Sequence, residues 1–169
     1  MPKGLKETSS IITIGAAVEE TAPNTFTSQQ VDLQLNPLDN EVFIVYGIDL
    51  DVEAPDLVAG AVTLSQGSVS TTARTSIGGI DDSNVLAAAR IETQDNGVTA
   101  VTNQYSSDSA PSTMLEYLGI IATNDFFLNV LGSAANPSPM NLNARVYGVR
   151  ARADASVYAA LVQSELLSA

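Results

Sequence analysis

The stretch that most constrains this chain runs from Val42 to Val52, where Val42, Ile44, Tyr46, Ile48, Leu50 and Val52 fall at every second position. Side chains alternate across a β-strand with a period of two, so the pattern predicts one long strand with a continuous apolar face. Its opposite face reads Phe43, Val45, Gly47, Asp49, Asp51 and Glu53, apolar at one end and acidic at the other. The end at Phe43 and Val45, apolar on both sides, is expected to be covered.

A shorter alternation comes just before it, with Val31, Leu33 and Leu35 set against Gln30, Asp32 and Gln34, and the turn residues Asn36-Pro37-Leu38-Asp39-Asn40 separate the two. Further strand-like stretches follow near 60–66, 68–74, 84–93, 97–105, 114–123, 126–132 and 141–151. Gly-, Asp-, Asn-, Ser- and Pro-rich connections at 78–84, 94–97, 106–112 and 132–139 divide them, and Asp95-Asn96-Gly97 is the strongest hairpin signal. So many strands with no helix between them predict an antiparallel β-sandwich or barrel rather than βαβ units.

The pattern changes only at the end. Residues 154–167 are Ala-rich, with Asp154 as an N-cap and Val157, Ala160, Leu161, Ser164 and Leu167 at helical spacing. Tyr158, Val162 and Leu166 add apolar surface at a second angle. The short C-terminal helix therefore lies across the sandwich or meets a neighbouring subunit. The divisions expected are an N-terminal arm or edge strand over 1–24, a β-sandwich over 25–152 and the helix over 153–169.

Composition narrows the chemistry. The 169 residues hold no histidine and no cysteine, which removes imidazole bases, Ser-His-Asp and Cys-His arrangements, thiolate metal sites and disulfides. The only lysines, Lys3 and Lys6, sit at the start of the chain, so the plentiful Ser and Thr hydroxyls lack a base to activate them. Paired carboxylates could act as acid and base on a glycoside, but with no Trp and 5% aromatic residues there is little to stack a sugar. The chain reads as a non-enzyme. Its net charge of −12 repels polyanions and argues against strong direct nucleic-acid binding. No apolar run approaches the roughly 20 residues that cross a bilayer, so no membrane insertion is expected.

Three groups of residues remain as candidate sites. Asp49, Asp51 and Glu53 could offer oxygens to Ca²⁺, the one cofactor this sequence suggests; a strand end pointing into water gives the same letters. Arg150 and Arg152 share a strand face near Arg145, and carboxylates of this or a neighbouring subunit are their expected partners. Phe43, Val45, Tyr158, Val162 and Leu166 form an apolar surplus that would suit a subunit interface.

With the strands laid out, residues 25–151 resemble the single jelly-roll coat proteins of small tailless icosahedral viruses. The likeness rests on strand number, the long strand Glu41–Glu53, the Gly/Ser/Thr/Asn-rich connections and the late block from Leu115 to Phe127. It implies an all-β antiparallel sandwich of jelly-roll type and a capsid subunit that forms homo-oligomeric shells in a virion, together with other virion proteins. Families of this kind carry no catalytic residues to transfer. The short, weakly basic N-terminus departs from coat proteins with basic genome-binding arms. Other functions fit the same composition: a virion decoration, fibre or microbial surface-layer subunit, or a non-catalytic binding or adhesion module placed outside the cell or on its surface.

Overall fold

The computed structural model describes residues 3–106, 115–133 and 135–168. Its strands are β1 (Leu5–Glu7), β2 (Ile12–Glu19), β3 (Thr27–Asp32), β4 (Glu41–Val52), β5 (Val62–Ser70), β6 (Val85–Asp95), β7 (Ala100–Ser106), β8 (Gly119–Ile121), β9 (Asp125–Gly132) and β10 (Asn141–Ala153), followed by helix α1 (Ala155–Leu167).

Four antiparallel ladders explain the architecture: β2 with β10, β3 with β9, β4 with β8, and β5 with β6. Together they make one long ribbon that doubles back between β5 and β6. The ribbon then rolls, so that β4 joins the free edge of β10 and β5 joins the free edge of β9. Two sheets result, β2-β10-β4-β8 and β3-β9-β5-β6; β1 lengthens the first along β10, and β7 widens the second beyond β6. This is the double Greek-key order of a jelly roll. The fold is the all-β antiparallel β-sandwich with a short C-terminal helix that the sequence predicts.

Phe43, Val45, Ile48, Val69, Phe126, Leu128, Val130, Leu142 and Val146 fill the space between the sheets. A second apolar cluster lies on the outer side of the first sheet, where Val157, Tyr158, Leu161 and Val162 of α1 cover Val42, Ile44, Val149 and Ala151.

The long strand departs from the expected single face. Tyr147 stands opposite Gly47 and Gly148 opposite Val45, so Tyr46 is an extra residue in β4 with no partner on β10. A bulge of this kind reverses the phase of the strand that follows it. Phe43 and Val45 point into the core before it, and Ile48 and Val52 after it. The crossing is tight: a Cβ on Gly148 would lie 2.3 Å from the Ile44 carbonyl oxygen and 2.6 Å from the Phe43 ring, so glycine is required there. Phe43 and Val45, expected at a subunit interface, are 1% and 0% exposed inside the sandwich and offer nothing to a partner.

Other elements shift for local reasons. The strand expected over 31–35 ends at Asp32, whose Oδ1 accepts the Gln34 N–H at 2.7 Å while Gln34 takes a φ of 52°. Leu33 and Leu35 stay buried, their N–H groups bonded to Asn124 at 2.8 and 2.6 Å. The stretches at 60–66 and 68–74 are one strand, β5. Of the block at 114–123 only Gly119–Ile121 is extended, and residue 114 lies outside the described residues. Within the connections at 106–112 and 132–139, residues 107–112 and 134 also lie outside them.

Candidate functional site

The outer face of the first sheet carries most of the residues singled out from the sequence. Past the bulge, Asp49 and Asp51 of β4 stand in register with Arg145 and Asn143 of β10. The Tyr147 hydroxyl donates to Asp49 Oδ2 at 2.9 Å, and Asn143 Nδ2 donates to Asp51 Oδ2 at 3.4 Å. A shelf of about 560 Å³ lies over these residues, floored by Gly15 and Ala17 of β2. Asp49, Asp51 and Glu53 do not converge: among the described residues, no three acidic side chains gather closely enough to hold a metal ion. The two aspartates are instead engaged by neutral donors.

Arg150 and Arg152 are committed within the chain. Arg150 stands in register with the core residue Phe43, which turns its guanidinium toward the end of the sandwich where residues 33–41 cross. There it donates to the Leu33 carbonyl at 2.8 Å, the Gln34 carbonyl at 3.2 Å and Glu41 Oε2 at 3.2 Å. Arg152 pairs with Asp39 at 2.9 Å at the surface. Of the alternatives open for these two arginines, the structure displays the intramolecular one. Arg150 ties the β3–β4 connection to β10.

The helix is rotated from the expected stripe. Tyr158 and Val162, expected to face a neighbour, pack on this chain's own sheet, while Ala160, Ser164 and Leu167 face solvent. Leu166, 64% exposed, keeps the outward position expected of it. Glu165 fixes the rotation. One turn beyond Leu161 and Val162, its two carboxylate oxygens accept the N–H groups of Ala122 and Thr123 at 2.9 and 2.8 Å. Burial pushes its pKa above the ordinary carboxylate value; the two N–H bonds oppose that shift, and the charge of Asp125 adds to it. A lone acid in an otherwise apolar helix face was the available sequence signal for this residue.

A second buried carboxylate gave no such signal. Glu20, 4% exposed, accepts the N–H groups of Thr25, Gly132 and Met140 at 2.8 to 2.9 Å and so binds the β2–β3 connection to β9 and the start of β10. At the other side of the sandwich, the outer face of the second sheet presents Arg90, its guanidinium 4.5 Å from the Tyr105 ring centre, beside a hollow of about 390 Å³ walled by residues 77–81.

The strand order defines the class: a single eight-stranded jelly roll with added edge strands and a helix clasped to one outer face. No protein-family model and no curated protein matches the sequence. Among solved structures, the chain is similar to one of Desmodium yellow mottle tymovirus, with a TM-score of 0.33 and 9% identity over 92% of this chain and 96% of that one. It is also similar to the empty head of turnip yellow mosaic virus, with a TM-score of 0.31 and 9% identity over 91% and 86% of the two chains. At these values the likeness adds nothing to the strand order, which is read from the ladders themselves.

Proposed function

We propose that this chain is a non-enzymatic structural protein, a virus capsid subunit that assembles with copies of itself into a shell. The observation that carries the reading is the rolled-ribbon strand order, an architecture that recurs in viral capsid domains and in lectins. Surface chemistry favours the first of these. Ile80 and Val98 are prominently exposed, as are Leu166 and Leu167 at the end of α1, and such apolar groups suit burial between subunits. The −12 charge keeps separate subunits soluble, and its screening by salt lets them approach.

A second reading, a non-catalytic binding module, draws on the shelf over Asp49, Asp51, Asn143 and Arg145, whose mixed donors and acceptors suit a hydroxyl-rich ligand. Negative-stain microscopy of the purified protein at raised ionic strength separates the readings. Closed particles support the capsid subunit, filaments or flat arrays a fibre or surface-layer subunit, and dispersed monomers the binding module.

A further inference from the structure

We propose that β7 is a joining edge, pairing antiparallel with β7 of a second copy about a two-fold axis at Asn103. The inference rests on the self-assembly reading above and names the strand through which two subunits would meet.

The second sheet ends at β7: among the described residues, no strand pairs with its far side. Proteins usually protect such an edge with charge, proline or brevity. From Gly97 to Ser106 this edge has neither a charged residue nor a proline, and β7 runs seven residues. The other edges are defended. The β1 and β2 edge carries Lys6, Glu7 and Glu19, and β8 is only three residues long. The β3 edge ends with Asp32 beside Asp125, two carboxylates in register that repel an incoming strand. In a chain of net charge −12, the approach of a second copy costs least where the surface is neutral.

The side chains select the register. Val101, Asn103 and Tyr105 stand opposite Gln94, Glu92 and Arg90 on the side of the sheet away from the core. Val101 and Tyr105 are 53% and 47% exposed, and Val98 at the start of the edge is 90% exposed. An axis through Asn103 sets Val101 of each copy against Tyr105 of the other, two β-branched to aromatic cross-strand pairs of the kind that stabilise antiparallel ladders. The remaining opposed pairs, Thr102 with Gln104 and Ala100 with Ser106, are uncharged. The charges of Arg90 and Glu92 stay one strand back from the junction.

The absence of cysteine makes a direct test available. In the full chain, Asn103→Cys places two sulfurs across the axis at a Cα separation of about 4.5 or 5.5 Å, within disulfide reach. Ser28→Cys, on the opposite edge of the same sheet, measures collisional cross-linking. Under mild oxidation in assembling salt, N103C should give covalent dimer at least tenfold faster than S28C. Adding Val101→Lys to N103C should remove that excess while leaving the melting curve unchanged. Equal rates for N103C and S28C, or no effect of V101K, would overturn the proposal. Particles that still form without N103C cross-linking sink the edge pairing alone; monomers throughout sink the assembly reading as well.

Discussion

The two halves of the first sheet's outer face are made from the same two strands, β4 and β10, and are finished in opposite ways. On one side of the bulge, Val42 and Ile44 lie beside Val149 and Ala151 under α1. On the other, Asp49, Asp51, Asn143 and Arg145 lie open and satisfy one another in part. What separates the halves is one unpaired residue, Tyr46, together with the glycine that lets the strands cross beside it. The bulge turns each half of β4 so that both have an apolar side on the core, and leaves a second apolar side only where the helix covers it.

Breaking that device should have the largest effect. Inserting one residue into β10 between Tyr147 and Gly148 gives Tyr46 a partner and restores an unbroken register, which forces either Phe43 and Val45 out of the core or Asp49 and Asp51 into it. We expect loss of the cooperative melt in circular dichroism; an insertion variant that melts like the parent would refute the bulge's role.

Point substitutions sharpen the same contrast. Ile44→Ala, beneath the helix, should cost about 2–5 kcal/mol in urea unfolding, whereas Asp49→Ala on the open half should stay within about 0.5 kcal/mol. Comparable costs at the two sites would mean that the open half is packed against something after all.

Helix docking offers the finest test. Glu165→Ala leaves the Ala122 and Thr123 N–H groups without acceptors, at about 1–3 kcal/mol for each group that water cannot reach. The pH dependence follows from the raised pKa of Glu165. Docking takes up a proton, so this group's contribution is fully present below the ordinary carboxylate value of 4.5 and is lost as pH rises through the raised value. Hydrogen exchange of the α1 amides should therefore slow on acidification more in the parent than in E165A. Parallel pH profiles would show that Glu165 does not sense pH.

How much of this was written in the sequence varies with the range of the interaction. The strands β4, β6, β9 and β10, the Asp95-Asn96-Gly97 turn and the closing helix follow from local alternation and turn chemistry, and the structure has them close to the expected bounds. The bulge was not legible, because Val-Phe-Ile-Val-Tyr-Gly is apolar in either phase and only the pairing with Gly148 decides it. Phe43 and Val45 were misplaced for that reason. The helix face was misread because it was taken from apolar spacing alone, whereas Glu165 sets it by serving two backbone groups more than forty residues away in sequence. Glu20 and Arg150 hold connections through partners more than a hundred residues away along the chain. No spacing rule along the sequence reaches such pairs.

The claim that this jelly roll is built to assemble is tested most directly by sedimentation velocity over a matrix of protein concentration and ionic strength. An assembling subunit should run as a slow species at low salt that gives way to a discrete, much larger particle as salt screens the −12 charge, with the transition moving to lower salt at higher concentration. A single monomeric boundary under every condition would contradict it.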